Sequence, residues 1–162
     1  MIRHASVADA QQIAAIYNYY IKNTTITFEE IEVTAEEMGR RIENVDAAGL
    51  PWYVMEHDSQ IIGYAYATKW RERSAYRFSV ESTIYLKQGH TGKGFAQALY
   101  SELLDDLREK GVHVVIGGIA LANVPSVSLH EKTGFQNVAQ FREVGKKFDR
   151  WVDVGYWQLI LQ

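Results

Sequence analysis

Apolar residues recur along the chain at helical or strand spacing, separated by polar or glycine-containing turns. In the first half, the helical pattern covers "SVADAQQIAAIYNYY", which Ser6 and Asp9 open as a capping box, and "TAEEMGRRIENV", which Thr34 caps. "PWYVMEH" and "IIGYAYATKW" predict two strands joined by the turn "DSQ". "YRFSVESTIYL" predicts a strictly alternating strand. One face carries the apolar residues Phe78, Val80, Ile84 and Leu86, and the other face carries Ser79, Glu81, Thr83 and Tyr85.

The second half continues the alternation of helices and strands. A helix is predicted from about Gly94 to Lys110, with Gly111 ending it. "VHVVIGGI" predicts a central strand covered on both faces, and a short helix is expected from about Pro125 to Thr133. "FQNVAQFREVG" and "WVDVGYWQLIL" predict two last strands. The order β-α-α-β-β-β-α-β-α-β-β indicates an α/β (α+β) fold, a mixed sheet with helices on both faces.

Length, composition and charge narrow the class of protein. The 162 residues suit a single domain, 1–162, and 47% hydrophobic with 23% charged residues indicates a globular chain. A net charge of −3 argues against a nucleic-acid partner. The sequence shows no apolar run long enough for a membrane span, and we recognise no signal peptide. We therefore expect a cytoplasmic protein. Cysteine is absent, which excludes disulfides, thiolate metal sites and a cysteine nucleophile. The histidines show no HExxH-type spacing, so no metal is predicted.

The segment "GHTGKGFAQALYSELLDDLREKG" poses a choice between a helix cap and a phosphate site. Gly92 and Gly94 fit the start of a dinucleotide fingerprint, but Gln97 stands in its third position, and the P-loop pattern fails at Lys87. A strand, a turn with alternating glycines and a helix remain. Such a turn presents backbone N–H groups at a helix N-terminus, where an anion is favoured, although a tight turn that binds nothing has the same pattern.

Several motifs in this order resemble the GCN5-related N-acetyltransferases (GNAT). Thr91-Gly92-Lys93-Gly94-Phe95-Ala96 is similar to the acyl-CoA motif Q/R-x-x-G-x-G/A, with Thr91 in place of Gln or Arg. "NVPSVSLHEKTGF" resembles the later motif of the family. "IYNYYI", "WRERSAY", "VESTIYL" and "GKKFDRWVDVGYWQL" resemble the branch that includes phosphinothricin and methionine sulfoximine N-acetyltransferases. The resemblance covers nearly the whole chain and implies a mostly antiparallel, twisted sheet of about seven strands.

The resemblance implies that the turn binds the pyrophosphate of acetyl-CoA. Backbone donors of the turn would hold it, and the pantetheine arm would pair with the edge of the preceding strand. Asn123 matches the residue that bonds this arm from the other side, and it equally suits an N-cap before Pro125. The expected cofactor-binding residues are Ile84, Tyr85, Leu86, Gly92, Lys93, Gly94, Phe95, Ala96, Gln97 and Asn123.

Catalytic candidates follow from what acetyl transfer to an amine requires. With no cysteine and no G-x-S-x-G elbow, direct attack by the amine is the simplest mechanism. Glu81, on the polar side of its strand, is the expected general base, with a solvated strand residue as the alternative. His130 stands where many relatives carry a tyrosine near the coenzyme sulfur. It is either a proton donor to the thiolate or a structural histidine.

The acceptor site is expected around the basic segment "KWRERSAYR". Arginine suits carboxylate or phosphinate groups, so an anionic acceptor is expected and a polyamine would be repelled, unless the arginines only form a solvated loop. The resemblance implies that this segment lies at the acceptor site, with Ser74, Ala75 and Tyr76 at the matching positions, and it adds an aromatic residue from "TTITFEE". The expected substrate-binding residues are Phe28, Arg71, Arg73, Ser74, Ala75 and Tyr76.

The leading hypothesis is therefore an acetyl-CoA-dependent N-acetyltransferase that acts on a small amino-acid-like amine. The alternatives are acetylation of a protein or peptide N-terminus on the same fold, and an acyl-CoA-binding module without turnover. The apolar ending "WVDVGYWQLIL" and the resemblance also predict a homodimer.

Overall fold

Seven strands form one sheet, and four helices connect or flank them. The computed structural model describes residues 1–162. The strands are β1 (Ile2–His4), β2 (Trp52–His57), β3 (Gln60–Lys69), β4 (Ser79–Leu86), β5 (Val114–Ala120), β6 (Gln136–Lys147) and β7 (Arg150–Ile160). The helices are α1 (Ala10–Asn23), α2 (Ala35–Ala47), α3 (Phe95–Glu109) and α4 (Val124–Lys132). Their order is the predicted one, with two short 3₁₀ turns added at Val7–Asp9 and Ser74–Tyr76.

The sheet order is β1-β2-β3-β4-β5-β7-β6, and every pair of neighbours is antiparallel except β4 with β5. The predicted mixed, mostly antiparallel sheet is confirmed. At the β2–β3 hairpin, Asp58 and Ser59 have φ values of 49° and 63°. Two successive residues in the left-handed region form the turn type whose twist suits a two-residue hairpin.

Helices cover both faces of the sheet, and the alternation of the strands explains why. Trp52 and Val54 of β2 belong to one core cluster with α1 and α2, whereas Tyr53 and Met55 belong to the other cluster with α3. Successive side chains of a strand point to opposite faces, so a strand covered on both sides is apolar throughout. Leu99 of α3 is fully buried in this second cluster.

The parallel pair β4 and β5 separates soon after it begins. Register pairs join Ser79, Val80 and Glu81 to residues 114–116, and no pair follows them along the strands. β3 pairs with β4 from Val80 to Leu86, so only the β5-facing edge of β4 is left unpaired. The separation opens a gap in the middle of the sheet.

Two details of the strand prediction are corrected. Phe78 does not lie on the buried face of β4: it precedes the strand, is half exposed, and packs under the Arg77 guanidinium. β5 is central, but it is covered fully only at alternate positions. Val115 and Ile119 are buried whereas Gly118 is exposed, because β5 also borders the gap.

No helix of the protein combines the length and the apolarity needed to span a membrane.

Candidate active site

A cavity of about 950 Å³ occupies the gap between β4 and β5. This volume suits a cofactor-sized ligand. The glycine turn and the first turn of α3 border one end of the cavity, and α4 borders one side. The α1–α2 connection and the β6–β7 hairpin border the other end, which we call the hairpin end.

The glycine turn has the properties of an anion site. Gly92 and Gly94 have φ values of 73° and 81°, and a Cβ on either would meet no atom within 4 Å. Gly94 is the N-cap residue of α3, and no side chain caps the helix there. The first N–H groups of the 15-residue helix α3 are thus free of side-chain acceptors, and the helix dipole favours an anion beside them. The predicted turn residues Gly92, Gly94, Ala96 and Gln97 line the cavity, whereas Lys93 and Phe95 are not among its lining residues.

The unpaired edge of β4 forms one wall of the cavity. The predicted residues Ile84, Tyr85 and Leu86 all line it. An unpaired strand edge offers alternating donors and acceptors to an extended ligand. Tyr20 of α1, which the sequence did not single out, donates its hydroxyl to the Leu86 carbonyl and lines the same wall. That carbonyl therefore already has a partner within the chain.

The two glycines of β5 leave room for the two catalytic candidates. A Cβ at Gly117 would lie 2.7 Å from Nε2 of His130, and a Cβ at Gly118 would lie 3.4 Å from Oε2 of Glu81. Consecutive residues of a strand face opposite sides of the sheet. Glu81 and His130 therefore approach the gap from opposite faces, Glu81 from the side of α1 and His130 from the side of α3.

The Glu81 carboxyl lies in a surrounding that favours its neutral form. Burial raises the pKa of Glu81, and the positive charge of Arg71 offsets part of that rise. No hydrogen bond contributes to the shift, so no donor of the chain holds the carboxylate. A carboxylate with a raised pKa and free lone pairs in a cavity is equipped to accept a proton from a bound amine.

His130 is buried at 4% exposure and is bonded at both ring nitrogens. Nδ1 lies 2.7 Å from the Ser126 carbonyl, to which it must donate, and Nε2 lies 3.0 Å from the Tyr100 hydroxyl. Tyr100 is in turn hydrogen-bonded to Ser82. Burial lowers the pKa of His130, and the bond to Ser126 offsets this only in part. The imidazole is therefore neutral at pH 7, with its single N–H used on Ser126.

Asn123 stands at the start of α4 and lines the cavity. Its side-chain oxygen accepts the Ser126 N–H at 3.3 Å, as an N-cap does. This bond uses the oxygen and leaves the amide NH₂ for a ligand, so the two roles expected from the sequence are compatible.

The predicted acceptor residues divide into two groups. Phe28 lines the hairpin end of the cavity. Arg71, Arg73 and the turn Ser74–Tyr76 are exposed and lie outside the cavity lining, because the β3–β4 connection projects into solvent. Arg71 stacks on the Trp70 ring at 4.0 Å, and Trp70 packs edge-on against Tyr156. The Arg71 charge acts on Glu81 without lining the cavity itself.

The hairpin end also contains residues that the sequence did not single out. The Tyr156 ring of β7 would lie 3.1 Å from a Cβ at Gly118. Burial raises the pKa of Tyr156, and the nearby Glu81 charge adds to that rise. Val144 of β6 and Val154 of β7 complete this end. All three come from the last hairpin, and only β-sheet pairing brings it next to β5. Within the described residues 1–162, no group of three or more His, Asp or Glu side chains is placed to hold a metal ion.

The arrangement defines a class of protein. Parallel strands that separate, an uncapped helix N-terminus beside the gap and a half-buried carboxylate in its middle suit an enzyme that holds an extended, phosphate-bearing cosubstrate and transfers a group to an amine. The chain belongs to the GNAT acetyltransferase family, since the model of the acetyltransferase (GNAT) domain matches residues 2–155. The resemblance read from the motifs is thereby confirmed.

Individual relatives are similar to this chain over nearly its whole length. The chain is 38% identical to an L-amino acid N-acyltransferase of Escherichia coli K12, over 99% of this chain and 93% of that protein. It is 36% identical to an L-methionine sulfoximine/L-methionine sulfone acetyltransferase of Salmonella typhimurium LT2, over 99% of this chain and 94% of the relative. A crystal structure of a phosphinothricin acetyltransferase from Sinorhizobium meliloti, in complex with acetyl-CoA, matches with a TM-score of 0.96 and 36% identity, over 99% of this chain and 88% of that one.

Proposed function

We propose that this protein transfers the acetyl group of acetyl-CoA to the amine of a small amino-acid-like acceptor, of the phosphinothricin or methionine sulfoximine type. The observation that carries the proposal is the position of Glu81. Its carboxylate has no donor within the chain and lies at the centre of the gap, between the glycine turn and the hairpin end. The names of the relatives support the class of acceptor.

The residues of the chain fit acetyl-CoA at the glycine-turn end. Gly92 and Gly94 would let the pyrophosphate approach the backbone, since their Cα hydrogens face open space. The N–H groups at the start of α3 would bind it, and the edge of β4 at Ile84 and Tyr85 would pair with the pantetheine arm. Bound acetyl-CoA supplies an activated acyl group as a thioester.

Glu81 then acts as the general base. An amino-acid acceptor enters as an ammonium ion, which attracts the carboxylate and must lose a proton before the nitrogen can attack. Glu81 accepts this proton, directly or through water. Burial raises the pKa of Glu81 and makes the carboxylate a better proton acceptor, while the positive charge of Arg71 favours the ionised form that can accept the proton.

His130 has a supporting place in this scheme. The sequence predicts either a proton donor to the leaving thiolate or a structural histidine, and both remain predictions. The hydrogen bonds to Ser126 and Tyr100 favour the structural role, because the only N–H of the neutral ring is used. We propose that His130 fixes α4 against α3 at the edge of the gap.

The acceptor's side chain would lie at the hairpin end. Phe28, Val144 and Val154 give this end an apolar lining, and Tyr156 adds a hydroxyl. The predicted anionic group of the acceptor would be held from the outside by Arg71, which stacks on Trp70 beside Tyr156, or by Arg73 of the same exposed segment.

A homodimer is also proposed. β6 is an edge strand, and the β6–β7 hairpin exposes Phe141, Val144, Phe148 and Trp151, each at more than half of its maximal surface. Clustered exposed apolar residues on one hairpin favour burial against another molecule. Light scattering at micromolar concentration tests this proposal. A cytoplasmic location stays a prediction of the sequence.

The decisive experiment mixes the protein and acetyl-CoA with a panel of amines and measures released thiol. Because the chain contains no cysteine, a thiol reagent reports only free CoA. Phosphinothricin, methionine sulfoximine and methionine sulfone are expected to release CoA and to gain an acetyl group by mass spectrometry, and spermidine is expected to be inactive. Turnover of a peptide N-terminus alone would favour the alternative of a peptide acetyltransferase. Binding of acetyl-CoA without turnover of any amine would favour the acyl-CoA-binding module.

A further inference from the structure

The β6 strand carries a buried lysine that the acetyl-transfer chemistry does not use. Lys147 is 2% exposed, and its ammonium donates one hydrogen bond of 2.8 Å to the carbonyl of Thr27. Burial lowers the pKa of Lys147, while the charges of Glu29 and Glu30 act in the opposite direction. A buried ammonium is costly unless its surroundings compensate it. Its bond to the segment that precedes Phe28 therefore calls for an explanation.

Gly145 of the same strand makes the second contact with this segment. A Cβ at Gly145 would lie 2.3 Å from Cε2 of the Phe28 ring and 2.5 Å from its Cζ. No side chain fits between the β6 backbone and the ring, so Phe28 rests directly on the strand. The absence of a side chain at residue 145 thereby fixes how far the ring extends toward the cavity.

Both contacts come from one face of β6. Residues two positions apart in a strand point to the same side, whereas Lys146, between them, points to the other. Lys146 is exposed, and its ammonium lies 5.0 Å from the centre of the Trp151 ring. Gly145 and Lys147 thus face the α1–α2 connection together, and Lys146 does not.

The far side of this connection is anchored independently. Arg41 of α2 binds Glu29 through two hydrogen bonds of 2.8 Å, and Tyr17 of α1 bonds to both Thr27 and Glu29. The segment Thr27–Glu29 is therefore held between the helices on one side and β6 on the other. A segment fixed on two sides keeps its side chains in place, so the Phe28 ring forms a rigid boundary of the cavity.

We propose that Gly145 and Lys147 are positioning residues for the acceptor: together they hold the segment Thr27–Glu29 against β6, so that the Phe28 ring sets the space available to the acceptor's side chain. The inference rests on the proposed function only in taking the hairpin end of the cavity as the acceptor end. Gly145 determines how far the Phe28 ring extends into the cavity, and Lys147 binds the backbone of the neighbouring Thr27 to β6.

The first test uses Gly145→Ala, Phe28→Ala and the double variant. The added methyl group must displace the ring, so Gly145→Ala is expected to raise the KM of methionine sulfone by about tenfold, as changes of one methyl in a pocket do, with the KM of acetyl-CoA unchanged. In the Phe28→Ala background the same methyl group has no ring to displace. Its effect on KM should then disappear, which makes the two substitutions non-additive. Equal effects of Gly145→Ala in both backgrounds would overturn the proposal.

The second test compares Lys147→Met with Lys146→Met, a matched control on the opposite face of the same strand. Lys147→Met keeps the apolar stem and removes the donor to Thr27. It is expected to raise the acceptor KM several-fold without changing the KM of acetyl-CoA, and Lys146→Met should change neither. Hydrogen–deuterium exchange of residues 24–30 should increase in Lys147→Met alone. Unchanged exchange of residues 24–30 in a folded Lys147→Met variant would refute the proposal that Lys147 holds the segment Thr27–Glu29 against β6.

The exchange measurement also separates the two hypotheses. If no amine is acetylated by the wild-type protein, the proposed function fails, yet the exchange of residues 24–30 still decides whether Lys147 holds this segment. If acetylation occurs but the variants change only thermal stability, with both KM values unchanged, the function stands and the positioning role is wrong.

Discussion

The carboxylate of Glu81 faces the backbone of Gly118 across the gap between β4 and β5, and a Cβ at residue 118 would lie 3.4 Å from Oε2 of Glu81. The same Cβ would lie 3.1 Å from the Tyr156 ring. Only glycine leaves this space open for an amine to reach the carboxylate. The relationship links a sequence feature, the pair Gly117-Gly118, to the accessibility of the proposed base.

Replacement of Glu81 by Gln should lower kcat/KM at pH 7 by about 10²–10⁴-fold, because the variant keeps the shape and loses the proton acceptor. Acetyl-CoA affinity, measured by calorimetry, should be nearly unchanged. The deficit should shrink at high pH, where more of the acceptor is already a free amine. A variant with near wild-type activity at pH 7 would exclude Glu81 as the base.

Arg71→Gln should move the pH dependence of kcat/KM. The positive charge of Arg71 lowers the pKa of Glu81, so its removal raises that pKa and shifts the acidic limb of the profile to higher pH. Arg73→Gln, in the same exposed segment, is the matched control, and the acidic limb of its kcat/KM profile should stay at the wild-type pH. If Arg71 also holds the anionic group of the acceptor, the KM of phosphinothricin will rise as well. An acidic limb that does not move would mean that the Arg71 charge does not act on the pKa of Glu81.

Gly94→Val should abolish acetyl-CoA binding and leave the domain folded. Gly94 and Gly111 lie at opposite ends of α3, with φ values of 81° and 83°, and at both a Cβ would meet open space. Both substitutions therefore carry a similar backbone penalty, about 1–2 kcal/mol. Only residue 94 borders the cavity. Calorimetry should show lost binding in Gly94→Val and retained binding in Gly111→Val; equal affinities in both would mean that the glycine turn only starts the helix.

His130→Gln should affect the free energy of unfolding more than it affects kcat. Loss of the bonds to Ser126 and Tyr100 is expected to cost about 1–3 kcal/mol of the free energy of unfolding at pH 8, and kcat should fall less than in Glu81→Gln. The pKa of His130 is lowered in the folded state, so the unfolded chain binds the proton first. The stability that His130 contributes is therefore fully present above the ordinary value of 6.5, begins to fall below it, and is lost as the pH falls through the lower pKa of the folded state.

The difference in unfolding free energy between wild type and His130→Gln should accordingly narrow from pH 8 to pH 5. Urea denaturation at both pH values measures it. A constant difference would mean that His130 keeps its ordinary pKa, and a kcat loss as large as that of Glu81→Gln would restore the role of proton donor.

The sequence by itself determined the helices and strands, and it pointed to the end of the site at which we propose that phosphate binds. Hydrophobic periodicity is a local property, and so is the run of glycines before α3, because backbone conformation and a helix N-terminus depend on neighbouring residues. The alternation of β4 likewise placed Glu81 on its polar face without knowledge of the partner strands.

The hairpin end of the cavity was decided only by the tertiary structure. Phe28 meets Gly145, and Tyr156 meets Gly118, across more than 35 positions of the chain in each case, and no local pattern encodes such pairs. The sequence also predicted the basic segment 69–77 at the acceptor. The fold leaves Arg71, Arg73 and Ser74–Tyr76 exposed and outside the cavity lining, so their contact with the acceptor stays a prediction. Where strands separate, and which distant side chains fill the gap, follows from packing of the whole sheet, so it appears only once the chain has folded.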